Sequence, residues 1–173
     1  MNIRILIGTF LRLLILVLIQ IFLLKNLALF GQAFAFLYLL GLLILPLNLR
    51  TIPMMLIAFG LGFVVDLFYE TIGMHTAAAT FLAFLRPIWL KAISPTGGYD
   101  DLQEPSLNEM GLGWFLSYAF PLVFAFSLVF FGIDLWGFGS IFSVLNKSFF
   151  SSIFTCLLAI LVQLLFFKRR RGI

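Results

Sequence analysis

Long apolar runs, separated by short clusters of charge and turn formers, organise this chain. A bilayer core of about 30 Å needs roughly 20 apolar residues per helix, and six stretches approach that length. They run from about Ile3 to Leu24, Phe34 to Leu47, Met54 to Tyr69, Met74 to Lys91, Leu112 to Phe131 and Phe149 to Phe167. The first closes at Lys25 and Asn26, and the second ends in a breaker-rich segment from Pro46 to Pro53. The second and third are short for a span, which leaves partial re-entry open for either. The pattern still predicts an all-α fold: a polytopic membrane protein whose six transmembrane helices form one integral-membrane domain over residues 1–173. Two connections are longer than the rest. Ile93–Glu109 is acidic and rich in turn formers, and Gly132–Asn146 is aromatic, with Trp136 and Phe138 suited to an interfacial belt.

Composition removes the soluble alternative. Hydrophobic residues make up 63% of the chain and charged ones 10%, with a mean hydropathy of +1.17, whereas soluble domains carry about 25% charged residues. The first apolar run is too long for a cleavable signal peptide and no small-x-small site follows it. Cys156 is the sole cysteine, so no internal disulfide forms.

The charges then orient the spans. With a cytoplasmic N-terminus, Arg4, Arg12, Arg50, Arg86, Lys91 and the tail Lys168–Arg171 fall inside, and only Lys25 and Lys147 fall outside. That asymmetry follows the positive-inside rule and places both termini in the cytoplasm. The formal net charge of +4 therefore reports topology and contact of the tail with anionic lipids. Nucleic acid is a poor partner for a basic tetrad this close to a membrane.

Small and polar residues recur about four apart, on single helix faces. The third span carries Ala58, Gly62, Asp66 and Glu70, and the fourth Thr76, Thr80, Ala79, Ala83 and Pro87. The fifth carries Gly113, Ser117, Pro121 and Ala125, the sixth Ser152, Thr155, Ala159 and Gln163, and the first Gly8, Arg12 and Gln20. Such stripes make a packed bundle interior or line a ligand cavity. Gln20 and Asp66 fall in the outer leaflet, and Arg12 and Gln163 lie level with each other nearer the cytoplasm. Arg12 bonds there or snorkels to headgroups. About 20 Å of helix separates Arg12 from Asp66, too far for an ion pair.

Asp66 is the residue most in need of an explanation, because a carboxylate at membrane depth must be paired, wetted or functional. Its position predicts an inward turn and bonds to hydroxyls, amides or the free N–H groups that open the fourth helix. Glu70 is expected to face outer water. His75 reads as a pH sensor or ligand, or more plainly as a helix-start residue bonding at the rim.

Catalytic patterns fail. An intramembrane aspartic dyad needs two aspartates at depth, and Asp134 is expected in the external loop. No Gly-x-Ser-x-Gly elbow surrounds any serine, and Ser148, Ser151 and Ser152 have only His75 as a candidate base. No metal cluster or phosphate loop is present, so neither a metal nor a cofactor is expected.

The block from Gly62 through Asp66, Glu70 and Gly73 to His75, followed by an Ala-rich helix ending Arg86-Pro87, resembles the rod shape-determining protein MreD family. Chain length, six spans and the first-helix ending from Lys25 to Gly31 also fit, and Ser94–Tyr99 resembles the Bacteroidetes version of that loop. The specific part is the Asp66–His75 block; elsewhere the likeness is hydropathy. The resemblance implies a non-catalytic inner-membrane subunit of the bacterial cell-elongation machinery for lateral peptidoglycan synthesis. Such a subunit binds the scaffold MreC and acts with MreB, RodA and its transpeptidase; no catalytic residues carry over. The chain more distantly resembles the six-helix substrate-binding (S) subunits of energy-coupling-factor vitamin transporters. Those dock through Ala-x-x-x-Ala in helix one, and no alanine precedes Ala28 here.

Overall fold

The computed structural model describes residues 3–25, 27–29, 31–95, 97–99, 104–135 and 140–166. The tail Lys168–Arg171, Trp136 and Phe138 lie outside the described residues, as does the side chain of Arg4. The elements in chain order are α1 (Ile3–Ile19), prolonged by a π-helical turn (Gln20–Leu24), then β1 (Ala28–Leu29), β2 (Ala33–Phe34), α2 (Tyr38–Leu43), α3 (Thr51–Tyr69), α4 (Met74–Ala92), α5 (Leu107–Met110), α6 (Leu112–Asp134) and α7 (Ile141–Phe166). Four stretches are long and apolar enough to cross a membrane: Ile7–Leu24, Thr51–Tyr69, Leu112–Asp134 and Ile141–Phe166. The protein is a mostly helical membrane protein.

Several predicted boundaries move. α3 starts at Thr51 because Pro53 sits in its first turn, where the missing N–H costs nothing. Asp134 closes α6 instead of lying in a loop, and α7 begins at Ile141, so the Gly132–Asn146 connection is much shorter than predicted. The stripe Gly113, Ser117, Pro121 and Ala125 is exposed or only half-buried. The interior face of α6 is bulky instead, with Phe115, Tyr118, Leu122, Phe126 and Phe130.

The largest departure is the second apolar run. A helix over Phe34–Leu47 is predicted, but only Tyr38–Leu43 is helical. An antiparallel hairpin precedes it, with Ala28 opposite Phe34 and Leu29 opposite Ala33. Pro46 biases the residue before it away from helical backbone, which ends α2 early. Residues 35–45 are nonetheless buried throughout. The run follows α1 in reverse: Ala35 meets Gln20, Gly41 faces Leu13 and Leu16, and Leu45 and Leu49 share a groove with Thr9 and Phe10. From Gln20 to Thr9 that path covers about 16 Å of helix rise.

Around this central run α3 packs on α4, α4 on α6, α6 on α7, and α7 on β2. The hairpin, the α3–α4 turn and the first turns of α7 share one end of the bundle, where Asn146 Nδ2 donates to Gln32 Oε1 at 2.9 Å. We call it the hairpin end, and the opposite end, with the start of α1, the loop end. α3 meets the backbone of α4 closely at Gly62. A Cβ there would stand 2.6 Å from Thr76 Cα and 2.8 Å from His75 O, both backbone atoms that no rotamer change can move. Gly60, two residues earlier, has nothing within 4 Å of a Cβ position.

The pair predicts a contrast. Gly62→Ala should destabilise the folded protein by about 1–3 kcal/mol, as overpacking of a close contact does, while Gly60→Ala leaves it unchanged. Thermal midpoints by fluorescence-detected size exclusion in mild detergent read both. Equal midpoints would show that α3 and α4 do not meet at Gly62.

Candidate functional site

Polar side chains form three groups inside the bundle. The first is at the hairpin end, where the chain leaves α3. Glu70 closes α3 in the left-handed conformation (φ 59°) and is exposed, and Gly73 turns the chain into α4 with φ 74°. The reversal brings the first N–H groups of α4 over the last turns of α3. Asp66, 5% exposed, turns inward and fills that position. Its Oδ1 accepts from Thr71 Oγ1 at 2.5 Å and from the His75 N–H at 3.0 Å. Its Oδ2 accepts from the Thr76 N–H at 2.9 Å and from Thr76 Oγ1 at 2.6 Å. A carboxylate offers about four acceptor positions, and all are occupied. Asp66 caps α4 where the helix dipole favours negative charge.

His75 is not at the rim. It is fully buried and points into the bundle because it lies one position before Thr76, on the face turned toward α2 and α6. Its ring is enclosed by Phe36, Tyr38, Tyr69, Phe126 and Phe130, with the Phe130 centroid at 4.7 Å and that of Tyr69 at 5.1 Å. Nδ1 bonds the Tyr38 hydroxyl at 3.2 Å. Nε2 has no hydrogen-bond partner among the described residues.

The second group serves the central run. The Phe34 N–H donates to Ser151 Oγ at 2.9 Å, and the Phe36 N–H to Thr155 Oγ1 at 3.0 Å. Between them the Ala35 carbonyl accepts from Gln20 Nε2 at 2.8 Å. Gln20 also donates to Tyr69 Oη at 2.7 Å, and Tyr69 returns a bond to the Gln20 carbonyl at 3.0 Å. The π-helical turn begins at Gln20 and buries both Gln20 and Ile21.

The third group lies toward the loop end and centres on Arg86. It is 1% exposed, so its charge is held by partners inside the bundle and not by water. Nε donates to Tyr118 Oη at 2.6 Å, Nη1 to the Pro46 carbonyl at 3.3 Å, and Nη2 to the Leu45 carbonyl. Tyr118 in turn donates to the Leu43 carbonyl at 2.9 Å. Leu43 is the last residue of α2, and Leu45 and Pro46 follow its cap, so the guanidinium sits just beyond the C-terminal end of that helix, where a cation is favoured. Nearby, Gln163 Oε1 accepts the Leu107 N–H at 2.8 Å. Arg12 Nη1 lies 3.2 Å from Glu104 Oε2. Arg12 and Gln163 thus meet the same Glu104–Leu107 segment, each through its own residue.

Sequence reasoning missed Tyr38, Tyr69, Thr71, Tyr118 and Ser151 as polar partners. Tyrosines inside apolar runs carry hydroxyls that need partners, and that signal was available for three of these. The pairing of Ser151 with Phe34 and of Thr155 with Phe36 was not, since it depends on a non-helical backbone where a helix is predicted.

What the site does chemically follows from its occupancy: these groups hold backbone and cap helices. Among the described residues no group of three or more His, Cys, Asp or Glu is placed to hold a metal ion. Comparison with protein-family models, curated proteins and solved structures found no match.

Two substitution series follow. Asp66→Leu strands two buried N–H groups at about 1–3 kcal/mol each, whereas Asp66→Asn keeps one accepting oxygen and loses less. Arg86→Met strands the α2 carbonyls, and Arg86→Lys recovers little because an ammonium lacks the planar fork. Folded yield and thermal midpoint of all four variants, ordered Asn above Leu and Lys near Met, would match this account. A wild-type midpoint for Asp66→Leu would refute the cap.

Proposed function

We propose that this protein is a non-catalytic inner-membrane subunit of the bacterial cell-elongation complex, of the MreD type, and that it binds MreC. The observation that carries the reading is the saturation of Asp66. The residue block that bears the resemblance is committed to joining α3 to α4, which is what a scaffold requires and what a catalyst or ion carrier would not tolerate. In this reading the chain crosses the membrane six times, with α4 as one crossing and the run from Ala33 to Arg50, buried over residues 35–45, as a broken second. Both termini are cytoplasmic, the fold is of the S-subunit kind, and the Lys168–Arg171 tail rests on anionic lipid. MreB, RodA and its transpeptidase act in the same assembly.

A bundle with so little mass outside the membrane meets partners chiefly through helix faces. MreC's single membrane helix packs on the lipid-facing side, where small residues allow close approach. The groove between α1 and α3, about 580 Å³ and lined by Thr9, Leu13, Gly60 and Val64 among others, offers such an approach. The other reading, a substrate-binding subunit of a vitamin transporter, requires an ATPase pair as partner.

One purification separates the two. Affinity capture in mild detergent followed by mass spectrometry should recover MreC, and Gly60→Trp should reduce that recovery about tenfold or more without lowering the folded yield, as a blocked helix contact does. Recovery of an ATPase pair with a bound vitamin would replace the reading. An active alkaline phosphatase fused at the C-terminus would place the tail outside and sink the six-crossing topology.

A further inference from the structure

We propose that His75 is a proton-operated joint: its neutral ring ties the α3–α4 corner to α2, and a second proton on the ring breaks that tie. The tie is the hydrogen bond between His75 Nδ1 and Tyr38 Oη at 3.2 Å. Tyr38 opens α2, and the backbone N–H of His75 is fixed to Asp66 Oδ1 at 3.0 Å. One residue thus spans from the corner to the central run.

The ring's surroundings make the tie sensitive. His75 and Tyr38 are both fully buried, and His75 Nε2 has no hydrogen-bond partner among the described residues. A neutral imidazole carries one N–H and one bare nitrogen, so either tautomer can bond one hydroxyl. An imidazolium carries two N–H groups and no accepting nitrogen. Tyr38 can then accept one N–H and no longer donate to the ring. The second N–H is left among aromatic rings, and a buried charged donor without an acceptor is costly.

The packed elements offer that donor no acceptor. From α3 come Asp66 and Tyr69. Asp66 attracts a positive ring, but its oxygens accept from Thr71, Thr76 and the His75 backbone. Tyr69 presents its ring, at 5.1 Å between centroids, while its hydroxyl exchanges bonds with Gln20. Lys25, a cation that opposes a second one, stands 5.9 Å from the centre of the Tyr69 ring. α6 contributes only Phe126 and Phe130, and the central run Phe36 beside Tyr38. To find an acceptor the charged ring must leave this cage, and leaving it parts the corner from α2.

His75 is the chain's only histidine, so nitrogen-15 histidine labels a single ring. In the full chain in nanodiscs, nitrogen-15 NMR from about pH 7.5 to about pH 4, a range that brackets ordinary histidine titration, reads when the ring gains its second proton. Hydrogen–deuterium exchange of peptides covering residues 31–50, corrected for the intrinsic pH dependence of exchange, reads the central run. Protection there should fall at least about tenfold, the factor for one lost buried hydrogen bond, as the ring gains its proton, while the interior of α7 keeps its protection. His75→Asn carries an amide oxygen near the Nδ1 position and takes no proton, so its protection should stay constant across the range. If that variant does not fold, the coincidence of the two wild-type curves decides alone. A ring that gains its proton with protection unchanged, a ring that stays neutral throughout, or an equal loss of protection in His75→Asn would each overturn the proposal.

Discussion

A backbone N–H or C=O in hydrocarbon needs a hydrogen-bond partner, and this bundle holds a stretch of chain at its centre that cannot supply its own. Non-helical backbone at membrane depth is tolerated only when protein surrounds it. Here it is surrounded, and side chains from four helices reach it one group at a time. Gln20 from the extension of α1, Arg86 from α4, Tyr118 from α6, and Ser151 and Thr155 from α7 take up the groups that the run from Phe34 to Pro46 leaves open. Together these bonds tie four helices to the same segment. The run is therefore the hub of the bundle, and it explains why buried polar residues sit on faces that would otherwise need only small apolar ones.

The α3–α4 corner is the second fixed point, and it relies on the same economy of partners. Gly62 lets the two backbones touch, and Asp66, one turn later on the same face, closes the contact by capping α4. A larger residue at the first position or an apolar one at the second would separate the helices. His75, the residue adjacent to the cap, is then aimed at Tyr38 on α2, so the corner and the hub are mechanically joined.

Much of this was legible in advance where period and charge decide the outcome. The extents of α1, α3, α4 and α6 follow within a few residues from apolar runs, and the inward turn of Asp66 follows from the cost of leaving it in lipid. The breakdown of the second run into hairpin and short helix was not legible. Its local pattern, apolar from Ala33 to Leu45, is the same for a helix and for a buried strand, and the partners that favour the extended form lie more than 110 residues away at Ser151 and Thr155. The role of Arg86 was hidden for the same reason, since the carbonyls it bonds just beyond α2 are placed by where that helix stops. The stripe on α6 failed because small residues mark a close approach only when another helix is there, and aromatic rings fill that interface instead.

The central claim is that the run from Phe34 to Leu45 is as firmly held as the long helices, despite its irregular backbone. Hydrogen–deuterium exchange of the full chain in nanodiscs, read by mass spectrometry on peptides covering residues 31–50, measures this directly. The account predicts that Phe34 and Phe36 exchange as slowly as the interior of α3, and that Thr155→Val speeds exchange at Phe36 while leaving α3 unchanged. Rapid exchange across the whole run in the unmodified protein, at the rate of a solvated loop, would contradict it.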